Sequence, residues 1–185
     1  MTRSILLVAL LAGISGFKPI VDWFQYLSKD GNYTIKMPIE PQVQSQNINT
    51  AMGEITMFMA MVEADENDDN LLYMSAFSEY PVDKISSSLS KEGQDRFFKG
   101  AAEGAAKNMN GKVRTIKETS YKGFPARMIY ADVSLGGQDF VAQQKLILVN
   151  NKFYMLQIFT KPQKEDNGNS KKFFDSFELP EFSSK

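Results

Sequence analysis

The stretch Glu54-Ile-Thr-Met-Phe-Met-Ala-Met-Val62 decides how this chain folds. Successive side chains of a strand point to opposite faces, so Ile55, Met57, Met59 and Met61 line one side and Thr56, Phe58, Ala60 and Val62 the other. A strand apolar on both sides is normally covered on both. Leu71 to Tyr80 repeats the pattern, with Leu71, Tyr73 and Phe77 opposite Leu72, Met74 and Ala76. Between the two, Glu63-Ala-Asp-Glu-Asn-Asp-Asp-Asn70 reads as a solvated hairpin loop.

Upstream, Trp23 to Leu27 and Tyr33 to Met37 flank Asp30-Gly31, a hairpin signal in which glycine supplies a positive φ. Tyr33, Ile35 and Met37 share one face and Thr34 and Lys36 the other, and Pro38 and Pro41 stop the strand. Val43 to Asn49 reads as a polar edge strand, turned by Met52-Gly53.

Downstream, the period changes. From about Ser90 to Asn110, Phe97, Ala101, Ala105 and Met109 recur at i+4 beside Phe98, Ala102 and Ala106, which predicts a helix stopped by Gly111. Its face, rich in alanine and glycine (Gly100 to Ala106), suits close approach of the helix backbone to a sheet. A meander follows: Val113 to Ser120, a turn at Lys122-Gly-Phe-Pro125, Met128 to Leu135, Gly136-Gly137, Phe140 to Val149, Asn150-Asn151, and Phe153 to Phe159. A polar connection over 161–169 leads to a short helix over Ser170 to Phe177, whose Phe173, Phe174 and Phe177 cap one face of the sheet. Strands apolar on both faces, with two separated helices, predict an α+β fold. Its antiparallel sheet carries helices on both faces, an α/β/α sandwich.

The first sixteen residues read as a separate object. Arg3 precedes the apolar run Ile5 to Ile14, and Ser15 and Gly16 supply small residues near a signal-peptidase cut. The run is about half the roughly 20 residues of a membrane span. The expectation is a signal peptide over 1–16, the alternatives an uncleaved anchor or a buried N-terminal segment, and a single domain over 17–185. No stable membrane span remains after cleavage. With no cysteine after the apolar run, lipoprotein anchoring is excluded, and the expected location is periplasmic or secreted.

The chain has 185 residues, 43% hydrophobic and 23% charged, with a net charge of −1 and neither cysteine nor histidine. These absences exclude disulfides, thiolate metal sites, thiol nucleophiles and Ser-His-Asp triads. Near-neutral charge argues against nucleic acid as a partner. No cofactor is implied.

The run from Trp23 to Pro41, with its aromatic residues, its Asp30-Gly31 turn and its Pro38 and Pro41, resembles the opening of exported PsbP-like and DcrB-like bacterial proteins. Gly123-Phe-Pro125, Lys152-Phe-Tyr154 and Phe173-Phe-Asp-Ser-Phe177 fit the same group. The resemblance spans about 23–179. It implies the fold and, weakly, a binding or accessory role, and it transfers no catalytic motif.

Several constellations are candidates for chemistry. Asp65, Glu66, Asp68 and Asp69 offer oxygens to calcium, but without the EF-hand glycine and terminal glutamate, so a solvated loop is the plainer reading. Met57, Met59 and Met61 offer thioethers to Cu(I), against the plainer reading that they fill an irregular core under the alanine-rich helix. Arg127 and Lys145 lie on strands among apolar neighbours, within reach of a pocket or simply solvated, with Asp132 facing away from Arg127. Trp23 and Tyr26 are aromatic anchors for a partner or core residues. No nucleophile–base pair stands out.

The expectation is therefore a non-enzymatic exported domain that binds a protein or envelope component as an accessory factor. The alternative is a small-ligand or metal-handling protein, taking Cu(I) or Ca through a pocket or loop beside the sheet. An enzyme using carboxylates, lysine or serine ranks third.

Overall fold

The computed structural model describes residues 22–50 and 52–182. The expected export segment over 1–16 lies outside them. The described chain is a mixed α+β fold with one large antiparallel sheet, a separate hairpin and two helices.

The hairpin is β1 (Phe24–Ser28) against β2 (Tyr33–Met37), with Tyr33, Ile35 and Met37 buried as the alternation requires. Its turn differs from expectation. The left-handed residue is Asn32, at φ 49°, and Gly31 serves packing instead. A Cβ on Gly31 would stand 2.6 Å from the Tyr33 ring and 3.0 Å from Phe77. Its backbone is held on both sides, by the Ser28 hydroxyl at its N–H and the Tyr154 hydroxyl at its carbonyl.

The large sheet comprises β3 (Gln42–Thr50), β4 (Gly53–Glu63), β5 (Asn70–Glu79), β6 (Lys112–Tyr121), β7 (Phe124–Leu135), β8 (Gln138–Val149) and β9 (Lys152–Thr160). The spatial order is β3-β4-β5-β9-β8-β7-β6, antiparallel throughout, so the last strand of the second meander, β9, pairs with the last strand of the first, β5. The polar strand β3 is an edge, as its composition predicts.

β7 starts at Phe124, four residues earlier than expected. The turn is Lys122-Gly123 alone, with both residues at positive φ, 48° and 87°. Pro125 fits because the β8 ladder begins one residue later, at Ala126 opposite Ile147.

Helix α1 (Lys91–Asn108) is capped by Ser90, whose hydroxyl accepts from the Gly93 N–H, and lies against β6 and β7. It buries Phe98, Ala102 and Ala106, while Gly100 and Gly104 are exposed with nothing within 4 Å of a Cβ position. The close-packed surface is therefore an alanine stripe, and the expectation that the glycines join it is corrected. At the helix end the left-handed residue is Asn110, at φ 49°, not Gly111. A Cβ on Gly111 would stand 2.5 Å from the Asp132 carbonyl oxygen and 2.6 Å from Val133 Cγ1, so close approach to β7 selects glycine there.

Helix α2 (Gly168–Asp175) begins two residues earlier than expected, where the Asn167 side chain accepts from the Ser170 N–H at 2.9 Å. Phe173, Phe174 and Phe177 are buried, as predicted.

Along β8, Ile147 and Val149 belong to an apolar cluster with Phe173, Phe174 and Phe177, together with Tyr33, Ile35 and Met37 of β2. Leu146 and Leu148 belong to another, with Phe98 and Ala102 of α1, Ile129 of β7 and Phe153 of β9. Among the described residues no helix is long and apolar enough to cross a membrane.

Candidate functional site

Met57, Met59 and Met61 share one side of β4, as the alternation predicts, and the fold adds two more methionines beside them. Met74 of β5 lies directly across from Met61, and Ala76 lies across from Met59. On the far side of β5, Met155 of β9 pairs with Ala76. These residues form one cluster, with Met59 and Met74 buried and Met57, Met61, Met155 and Leu72 half-buried around them.

The cluster includes no residue of either helix. The expectation that the methionines fill a core is met at Met59 and Met74, which are buried, but its placement under α1 is corrected: α1 packs mainly on β6 and β7, and of the five methionines Met155 also packs against the cluster of Phe98 and Ala102. Outward of Met61, Met59 and Met57 lie Gln42, Gln44 and Gln46 of β3, all exposed. Inward, Gln144 and Gln157 are buried and hydrogen-bonded to each other, so the polar amides on this side of the sheet are satisfied. Leu72 continues the surface into a groove of about 410 Å³ lined by Leu135, Phe140 and Phe159. The result is a soft, apolar cluster, half-buried at Met57, Met61 and Met155, that runs into this groove.

A second concavity, about 630 Å³, lies between the end of α1, β6 to β8 and the 162–165 loop. Arg114 reaches Asp132 at 3.2 Å and Glu165 at 2.8 Å, and hydrogen bonding from Arg114 holds the Glu165 carboxyl below its ordinary value. Ser134 of β7 lies directly across from Asp139 of β8 in the lining of this concavity.

The acidic loop is tied to structure. Asp68 accepts from the Tyr73 hydroxyl at 2.7 Å, the Asn169 amide at 3.0 Å and the Asn70 N–H at 2.9 Å. Asp65 caps Asn67, whose backbone N–H holds the Asp65 carboxyl below its ordinary value. Asp69 pairs with Lys164 at 3.5 Å, and Glu66 is exposed. Among the described residues no group of three or more acidic side chains is placed to hold a metal.

Arg127 is 3% exposed, not a solvated strand position. Its guanidinium stacks 4.9 Å from the centre of the Phe98 ring, donates to the Ala126 carbonyl and pairs with Asp95 of α1. It therefore clamps the helix to the sheet. Lys145 is half-buried between the β7 and β9 positions Met128 and Leu156, and desolvation lowers its ammonium below the ordinary lysine value against the opposing effect of Asp175. Asp132 faces away from Arg127, as expected, and serves Arg114. Trp23 and Tyr26 are half-buried and pack against the core cluster of Tyr33, Tyr73 and Phe173. Trp23 stands edge-on to Tyr73 at 5.3 Å with Lys172 over its ring, and Tyr26 stands edge-on to Tyr33.

No family model matches this chain, and no curated protein matches it. Among solved structures, it is similar to the solution structure of cyanobacterial PsbP (CyanoP) from Synechocystis sp. PCC 6803. That likeness has 16% identity and a TM-score of 0.51, covering 90% of this chain and 98% of the other. A crystal structure of a Pseudomonas aeruginosa protein of unknown function matches at 11% identity and a TM-score of 0.36, covering 76% of this chain and 84% of that one, too distant to carry an argument. The first likeness supports a PsbP-like fold for this chain.

Proposed function

We propose that this chain is a non-enzymatic exported binding domain, and that the methionine-lined side of β4, β5 and β9 receives an apolar segment of a partner protein. One observation carries the reading: five methionines are gathered from three neighbouring strands in one cluster, half-buried at Met57, Met61 and Met155, and of the five Met155 also packs against the cluster that α1 enters. Methionine is flexible and polarizable, which suits it to surfaces that mould themselves to a partner. In the other concavity Arg114 is already paired with Asp132 and Glu165, which disfavours an anionic ligand there.

The same reading takes residues 1–16 as the export signal and 17–185 as one domain, located in the periplasm or secreted. It takes the fold as a sandwich with α1 on one face and α2 with the β1–β2 hairpin on the other. The alternation of β8 between two clusters supports those layers.

The test is oxidative footprinting of the chain in its native envelope against the purified chain. Met57, Met61 and Met155 are expected to convert to the sulfoxide readily in the purified chain and slowly in the envelope. A partner cross-linked to the wild-type chain is expected to be lost in Met59→Gln with Met61→Gln. Equal oxidation in both settings, or capture unaffected by the substitutions, refutes the docking surface.

Cu(I) binding is the second reading, favoured by the placement of Met74 directly across from Met61, which brings a third strand position into reach of one ion. Competition titration with a Cu(I) chelator decides it. Equal affinity in the wild-type chain and a Met59→Leu, Met61→Leu, Met74→Leu variant removes it.

A further inference from the structure

The two edges of the large sheet are built differently. β6 carries Lys112, Arg114, Lys117 and Glu118, and its register against β7 shifts between Val113 and Thr115. Charges and a bulge are the ordinary protection of a sheet edge against further strands. β3 has neither. Its nine residues, Gln42-Val-Gln-Ser-Gln-Asn-Ile-Asn-Thr50, contain no charge and no proline, and they pair with β4 in unbroken register from Gln42 to Thr50. Seven of the nine are exposed, including Val43 at 59%. An edge strand presents a row of unpaired N–H and C=O groups along its outer side, and nothing in this sequence blunts that row.

We propose that β3 is an interface on which a second copy of this chain adds its own β3, antiparallel, to continue the sheet across a two-fold axis. This inference is independent of the docking reading above. A self-pairing edge has to tolerate its own side chains directly opposite, and β3 meets that condition because it brings no like charges together.

With the axis at Gln46, Gln44 faces Ile48 of the other copy, Ser45 faces Asn47, and Gln42 faces Thr50. Gln46 then meets its own copy, and the Ser45–Asn47 and Gln42–Thr50 pairs bring together groups that both donate and accept, while Gln44 and Asn49 lie beside the aliphatic Ile48 and Val43. An antiparallel ladder averages about one hydrogen bond per residue pair, so nine pairs supply about nine bonds that the monomer leaves to water. Because the axis is perpendicular to the sheet, the methionine surfaces of the two copies fall on the same side, separated by the two β3 strands.

Sedimentation equilibrium of the full chain over a concentration series tests this. The expected result is a monomer–dimer equilibrium, weakened about tenfold or more by Gln46→Lys and by Gln46→Glu. An equimolar mixture of the two variants is expected to restore it, since the opposed charges then attract across the axis. A wild-type monomer at every concentration overturns the proposal. So does an oligomer that Gln46→Lys leaves intact.

The absence of native cysteine allows a second readout. Gln46→Cys is expected to give a disulfide-linked dimer on mild oxidation with its circular dichroism unchanged. Thr119→Cys, on the exposed part of β6, is expected to stay monomeric. Equal cross-linking at both edges overturns the proposal.

Discussion

Gly100 and Gly104 sit in the interior of α1, exposed, with open space where a Cβ would stand. Alanine at an exposed helix-interior position is favoured over glycine by about 0.8–1.0 kcal/mol, because glycine loses more backbone freedom on folding. Gly100→Ala and Gly104→Ala are each expected to stabilise the chain by about 1 kcal/mol, and the pair by about 2 kcal/mol. For a domain of this size each kcal/mol moves Tm by roughly 2–4 °C, so the double variant is expected to melt about 4–8 °C higher. Gly111→Ala is the opposite control. Its Cβ would meet the Asp132 carbonyl oxygen at 2.5 Å and Val133 Cγ1 at 2.6 Å, and backbone on β7 yields little. Overpacking of that kind costs about 1–3 kcal/mol. Urea unfolding followed by the fluorescence of the single tryptophan, Trp23, with thermal melts by circular dichroism, reads both signs. Destabilisation by Gly100→Ala or Gly104→Ala would refute the reasoning, since it would mean that the glycine surface is packed against something. A neutral Gly111→Ala would refute the close approach of the helix end to β7.

Two further predictions concern pH. The Asp95 carboxyl is held below its ordinary value by hydrogen bonds from Lys91 first and Arg127 second, so its contribution is present above the ordinary carboxylate range and is lost as pH falls through the folded value. Urea midpoints are expected to drop on acidification. Asp95→Asn is expected to lower the neutral midpoint and flatten that slope, and an unchanged slope counts against the clamp. At the alkaline end, burial pushes the Tyr33 phenol from 10.0 up to about 12, so its contribution is full below pH 10 and disappears as pH rises through about 12. Phenolate absorbance of Tyr33, and of Tyr73 and Tyr154, which are also raised by burial, is expected to appear together with unfolding. All tyrosines titrating near pH 10 with native circular dichroism would contradict this.

The elements were legible wherever the pattern is local. Two-residue alternation placed β2, β4 and β5. The fourfold spacing of Phe98, Ala102 and Ala106 placed α1, and Gly136-Gly137 and Asn150-Asn151 placed two turns of the meander. The glycines were harder to read, because their reasons are not local. At Gly31 and Gly111 the sequence shows a residue suited to positive φ, but the neighbouring asparagines take that conformation and the glycines yield room to Tyr33 and Val133. A short polar side chain that bonds locally lets asparagine enter the left-handed region, which frees glycine for contacts made with chain far away.

The candidate site shows the same limit on a larger scale. Alternation put Met57, Met59 and Met61 on one side of β4 but carried no information about what lies beyond β5. Its neighbour there is β9, which begins 73 residues after β5 ends, so Met155 reaches the cluster only through a long-range strand pairing that no local period encodes. Arg127 was illegible for a related reason. An arginine among apolar strand residues reads as solvated unless a carboxylate is known to cover it, and Asp95 comes from a helix 32 positions earlier. Burial of a charge is decided by its partner, and partners are set by topology. Edge position is the exception that makes β3 informative. Its polarity and lack of charge can be read locally, and an edge by definition has no further strand to supply what the sequence leaves out.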